Sequence, residues 1–183
     1  HATRHSQRRA AGQVLIYPEL GGETGRSYIE HAEAPLLSLS DIEFYRRIRS
    51  APGQSLDDPT FSPLRDSDFT GLPPTFIITA ECDPLSSDGE AYRGRIVAAG
   101  GSAWWQEEPL LVHSFLRARN SVPRAGEAFA RIIADIARLG AGDEAPISPQ
   151  VGEMAGRPEG GAKDRGPSES LGFKTIRHRS GAE

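Results

Sequence analysis

The run Pro73-Pro74-Thr75-Phe76-Ile77-Ile78-Thr79-Ala80-Glu81-Cys82-Asp83-Pro84-Leu85 constrains the fold of this chain more than any other stretch. Thr75 to Ala80 are β-favouring or small residues with no charge among them, opened by two prolines and closed by an acid and another proline. A strand without polar and apolar alternation has no solvent face, so this run predicts a strand covered on both sides, as in a parallel sheet flanked by helices. Asp83 then lies where the strand ends. In open parallel sheets the ligand crevice lies outside the carboxyl ends of the strands, which makes Asp83 a candidate functional residue. Ser87 and Glu90 have the spacing of a capping box and predict that a helix follows directly.

Two further runs read as strands of the same sheet. Gln13 to Tyr17 is short, apolar and β-branched, and is ended by Pro18; Ala103 to Glu107, carrying Trp104 and Trp105, follows the turn Gly100-Gly101. Between them, Ser40-Asp41-Ile42-Glu43 reads as a capping box opening a short helix with Ile42, Tyr45 and Ile48 on one face. After the central strand, Tyr92, Ile96 and Ala99 make a helical stripe that Gly100-Gly101 ends. Asn120 or Ser121 can cap a helix from about Pro123, with Ala125, Phe129, Ile132, Ile133 and Ile136 as its apolar face and Gly140 at its end. Three parallel strands with crossover helices, an α/β fold, follow from this order.

His113 lies on the loop after the third strand, as Asp83 lies on the loop after the second. A strand-end Asp followed, one helix and one strand later, by a strand-end His is the chain order of the last two members of a Ser, Asp, His triad. In that arrangement the acid orients the imidazole and the imidazole moves the proton. From spacing alone the ordinary reading stands beside it: a solvated loop His, and an Asp-Pro turn.

The run from Leu72 to Tyr92, with Val112-His113-Ser114-Phe115-Leu116, resembles the α/β-hydrolase fold-3 group, the hormone-sensitive-lipase-like carboxylesterases. Gly12-Gln13-Val14-Leu15-Ile16-Tyr17-Pro18 and Phe61-Ser62-Pro63-Leu64 resemble it in the same order, so the likeness covers about residues 9 to 139. The resemblance implies the C-terminal part of an α/β-hydrolase fold, hydrolysis of a small-molecule carboxylic ester, no cofactor and no metal. It makes Asp83 the catalytic acid and His113 the base, and it places Phe44, Tyr45 or Phe61 near the acyl chain. Two departures concern the His loop. Ser114 stands where the family usually has Gly, and Glu108-Pro109-Leu110 stands where a Pro-Gly turn is usual.

A hydrolase of this fold carries its nucleophile at a G-x-S-x-G elbow upstream of the Asp. No serine of this chain has glycines at both −2 and +2; Gly53-Gln54-Ser55 and Gly25-Arg26-Ser27 lack the second glycine and follow no strand. Twelve residues precede Gln13, too few for an elbow and an oxyanion loop. The chain opens with His1 and its only methionine is Met154. It therefore reads as the C-terminal half of a hydrolase domain, inactive alone, whose first strand would be an exposed apolar edge unless an N-terminal half or an oligomer partner covers it. The alternative is a non-catalytic remnant or interaction module that keeps the rear half of the fold.

Composition narrows the classes further. The 183 residues suit one domain, residues 1–140, followed by a segment, 141–183, rich in Gly, Pro, Ser, Glu and Arg and expected to be disordered. A net charge of −4 with dispersed basic residues gives no footprint for nucleic acid, and no apolar run approaches a membrane span. The single cysteine, Cys82, excludes an internal disulfide and reads as a small core residue. Without a signal-peptide pattern, the expected location is the cytoplasm.

Overall fold

A computed structural model describes residues 10–22 and 25–142, all within the unit His1–Glu153; a second unit, Met154–Glu183, lies wholly outside them. The expected disordered segment is therefore outside the described residues, apart from Ala141 and Gly142. Strands β1 (Gln13–Ile16), β2 (Thr75–Cys82) and β3 (Ala103–Val112) form a parallel sheet in the order β1-β2-β3. Four α-helices accompany them: α1 (Arg26–Glu30), α2 (Leu39–Arg49), α3 (Ser86–Ala98) and α4 (Pro123–Ala141). The uncharged run is the central strand, and its first six residues are all buried.

The sheet is covered on both faces, which is why β2 carries no alternation. On one face Phe76, Ile78 and Ala80 pack with Leu111, Phe115 and the α4 residues Ala125, Ala128, Ile132 and Leu139. On the other, Ile77 and Ala103 pack with Leu20, Leu64, Phe69 and the α3 residues Tyr92 and Ile96. Each fully buried aliphatic side chain contributes about 1.5–3 kcal/mol relative to an exposed one. The helix α3 lies so close to the sheet that a Cβ on Gly89 would meet Thr79 Cγ2 at 2.6 Å, so glycine is required at that crossing. Its end follows the expected glycines: Gly100 has φ 80°, and the Gly101 N–H donates to the Ile96 carbonyl at 2.9 Å, the six-to-one bond of a Schellman motif.

Several local expectations are corrected. The capping box of α2 is Ser38 with Asp41, two residues before the expected Ser40 and Glu43: Asp41 N–H donates to Ser38 Oγ and Ser38 N–H donates to Asp41 Oδ2 at 2.9 Å. The α3 start makes no box from Ser87 and Glu90, because Ser87 Oγ accepts from Ser27 N–H and Oγ–H instead, and the N-cap is Leu85. Neither Asn120 nor Ser121 caps α4, whose N-cap is Val122; Ser121 Oγ donates to the Ala118 carbonyl. That helix runs past Gly140 to Ala141 and stops at Gly142, φ 81°. Ile133 and Ile136 of α4, and Tyr45 and Ile48 of α2, are exposed, so the buried faces are narrower than the apolar stripes. The helix α1 has no clear sequence signal, and Cys82 is half-buried rather than core. No helix among the described residues is long and apolar enough to cross a membrane.

Candidate active site

The two candidate residues leave adjacent strands at the same end of the sheet. Asp83 follows β2 and is fully buried; His113 follows β3 and is mostly buried. His113 Nδ1 and Asp83 Oδ2 are 2.8 Å apart, a hydrogen bond in which a carboxylate can only accept. In the neutral imidazole Nδ1 then carries the proton and the lone pair is on Nε2, which makes no hydrogen bond among the described residues. The second oxygen, Asp83 Oδ1, accepts from the Leu85 N–H at 2.9 Å, so the buried acid has partners on both oxygens. An imidazole held in this tautomer can take a proton at Nε2 and pass it on, with the buried carboxylate stabilising the cation.

Three more residues shape the imidazole's surroundings. The Tyr17 ring meets the His113 ring edge-on with centroids 4.7 Å apart, and meets Phe115 at 5.5 Å. To do so, Tyr17 leaves β1 at φ 37°, while its N–H still donates to the Ile78 carbonyl at 2.6 Å. Burial pushes the Tyr17 phenol up, opposed by Arg117, with Asp83 adding to the rise. Ser114 sits at φ 61°, ψ 22°, the left-handed region in which glycine carries no penalty, so the usual family glycine has a physical reason here.

The imidazole opens onto a cavity of about 320 Å³ lined by Tyr17, Leu37, Ile42, Tyr45, Arg49 and Leu85. Of the three aromatic residues expected near an acyl chain, the structure brings Tyr45 to this cavity; Phe44 and Phe61 do not line it. Phe61 is buried beneath the Arg49 guanidinium, 4.4 Å above its ring, and the Arg47 guanidinium lies 5.6 Å from the Phe44 ring.

A polar network fixes the cavity wall. Glu19 pairs with Arg46 at 2.7 Å and Arg49 at 2.5 Å, tying α2 to the loop after β1. Asp88, on α3 and 1% exposed, accepts from the Leu20 N–H at 2.9 Å and the Tyr28 hydroxyl at 3.1 Å. Burial pushes the Asp88 carboxyl up despite those two donors, and burial together with Asp88 pushes the Tyr28 phenol up. Periodicity does not find Tyr17, Glu19 or Asp88; an acid in the first turn of a helix behind a buried strand end was the one available hint.

Other chemistries find less support in the site. Burial and the neighbouring Glu81 and Glu107 push the Cys82 thiol up, the wrong direction for a thiolate nucleophile. Among the described residues, no three His, Cys, Asp or Glu side chains are grouped to hold a metal ion.

Comparison with known proteins agrees with this fold. The family described as the α/β hydrolase fold matches residues 1–117. The chain is 37% identical over 131 residues to a carboxylesterase, NlhH, of Mycobacterium tuberculosis, covering 69% of this chain and 41% of that protein. It is 31% identical over 123 residues to an ethyl acetate hydrolase of Pseudomonas putida, covering 66% and 38%. The crystal structure of a thermostable esterase from Pseudomonas putida superimposes with a TM-score of 0.62 at 26% identity, over 67% of this chain and 40% of that one. The chain thus spans about 40% of the length of the relatives it matches. With the parallel sheet and the family match together, the chain belongs to the α/β-hydrolase family.

Proposed function

We propose that this chain supplies the acid and the base of a serine-dependent carboxylic-ester hydrolase, with Asp83 orienting His113 and His113 as the general base. The observation that carries this reading is the 2.8 Å hydrogen bond between His113 Nδ1 and the buried Asp83, with Nε2 left for a substrate-side proton. His113 takes the proton of an attacking serine hydroxyl, and returns it to the leaving alcohol when the tetrahedral intermediate collapses. The Asp83 carboxylate holds the tautomer and stabilises the imidazolium.

No G-x-S-x-G elbow occurs in the 183 residues, so the nucleophile and the oxyanion donors come from a segment outside this sequence. That segment also gives the β1 edge a neighbouring strand. The likeness to an ethyl acetate hydrolase favours short acyl chains.

The test is the initial rate of p-nitrophenyl acetate hydrolysis by the 183-residue chain, by a longer natural form that includes the upstream segment, and by that form carrying His113→Ala. The short chain should be no faster than free imidazole, because both nucleophile and oxyanion donors are outside it. The longer form should turn over in a His113-dependent way. Turnover by the short chain that depends on His113 would place the nucleophile within it. An inactive longer form that bears an intact elbow serine would favour the non-catalytic module.

A further inference from the structure

The parallel pairing of β2 and β3 changes register just before the site. Ala80 pairs with Glu108, an offset of 28, but Cys82 pairs with Val112, an offset of 30. One residue of β2 thus spans three residues of β3, Pro109 to Leu111, and β3 carries two extra residues in a bulge. The offset of 30 is also the spacing of Asp83 and His113. Had the earlier register continued, the residue opposite Asp83 would be Leu111, and the imidazole would lie two positions beyond the carboxylate.

The bulge is held at its most strained point. Leu110 has φ 59°, a left-handed backbone that costs a non-glycine residue about 1–2 kcal/mol. Its side chain is 71% exposed, so packing does not hold it there. Its N–H donates to Glu81 Oε2 at 2.7 Å, a charge-assisted bond from the strand that carries Asp83. The α4 side contributes two more contacts: Arg131 pairs with the buried Glu108 at 2.5 Å, and Arg124 donates to the Pro109 carbonyl at 3.3 Å. Of these anchors, Glu81 alone reaches the left-handed residue itself.

We propose that Glu81 is a positioning residue for His113: by accepting the Leu110 N–H it holds the two-residue expansion of β3 that brings the imidazole opposite Asp83. This rests on the pairing of Asp83 with His113 given above, but not on a nucleophile, and its test needs no turnover. Bulges beside active sites commonly re-aim a side chain, and this one shifts the register by the amount that the pair requires.

The experiment is NMR of the histidine-labelled 183-residue chain, following the His113 Nδ1–H proton, which a carboxylate partner protects from exchange and moves far downfield. It compares the wild type with Glu81→Ala, Glu81→Gln, Asp83→Asn and the double variant Glu81→Ala with Leu110→Gly. Asp83→Asn should abolish the resonance. Glu81→Ala should also lose it while the amide shifts of Phe76 to Ile78 stay unchanged. Glu81→Gln, which still offers an oxygen to Leu110, should keep it, and a glycine at 110, at ease in the left-handed region, should restore it in the double variant. An unchanged resonance in Glu81→Ala alongside its loss in Asp83→Asn would overturn the role of Glu81 and leave the acid–base pair intact. A resonance that survives Asp83→Asn would overturn the pair and this inference with it. If Glu81→Ala unfolds the chain, the double variant decides: a folded protein that lacks the resonance overturns the proposal.

Discussion

Along the body of the sheet, from Gln13 to Ile16 and from Thr75 to Ala80, no residue has a positive φ; at the carboxyl ends Tyr17, Leu110 and Ser114 have φ of 37°, 59° and 61° without being glycine. Those are three of the four non-glycine residues with positive φ among the described residues. All three adjoin the Asp83–His113 pair: Tyr17 packs on the imidazole, Ser114 follows it, and Leu110 is in the bulge that sets its register. Strained residues persist only where the surrounding structure over-determines them. Here the surroundings are the two packed faces of a sheet whose β1 and β2 residues have no positive φ. The regular part of the fold therefore supplies the stability that holds an irregular rim in place.

The largest disturbance of that contrast should come from the body. Ile132→Ala removes a 2% exposed side chain of α4 from the face it shares with Phe76 and Ile78, and should lower stability by about 3–4 kcal/mol in urea unfolding. A loss below about 1 kcal/mol would mean that the face repacks freely and cannot be the rigid support.

Next is Arg131→Ala, which leaves the Glu108 carboxylate, 1% exposed, without its ion-pair partner. Breaking a buried pair from one side costs about 3–5 kcal/mol, and because the Arg131 side chain is 36% exposed the lower end applies. A near-neutral result would show water reaching Glu108, and the α4 anchor of the bulge would be dismissed.

Substitution to glycine should have opposite signs in the two regions. Ser114→Gly relieves a left-handed residue and should stabilise by about 1 kcal/mol, whereas Ala80→Gly, in the fully buried strand, should destabilise by about as much. Matching signs would erase the contrast between rim and body.

The smallest expected effect is a slope rather than a midpoint. Burial raises the Asp88 carboxyl above its ordinary value of 3.8, so the folded state binds the proton more tightly than the unfolded chain. Between 3.8 and the raised value the unfolded state holds fewer protons, and stability must fall as pH rises through that window. Asp88→Asn removes the titration but keeps an oxygen for the Leu20 N–H, so its unfolding free energy relative to wild type should improve as pH rises across the same window. A difference independent of pH would mean that Asp88 titrates normally.

What could be read in the sequence divides along the same line. The central strand was legible because an uncharged six-residue run has few alternatives, and so were the strand-end positions of Asp83 and His113, although the third strand runs to Val112, five residues beyond Glu107, where the sequence reading ends it. Tyr17 was not, because its contact with His113 depends on a backbone turn that Tyr-Pro does not announce; the residue before proline ordinarily stays extended. Nor was Glu81, since a bulge in the neighbouring strand leaves no periodic trace. The α2 box lies two residues before the expected one because Ser38 with Asp41 and Ser40 with Glu43 are both valid spacings, and spacing alone does not choose between them. The widths of the buried helix faces were overestimated for a related reason: an apolar residue on a helix need not meet a neighbour.

The claim that Asp83 and His113 act as one unit is tested most directly by a double-mutant cycle on kcat for p-nitrophenyl acetate in the longer form that includes the upstream segment, with Asp83→Asn, His113→Ala and both. Each single change should lower kcat by about 10⁴-fold, and the double variant should be little worse than either alone, because members of an acid–base unit are lost together. Losses that multiply in the double variant, or an Asp83→Asn enzyme that keeps its rate, would contradict the account.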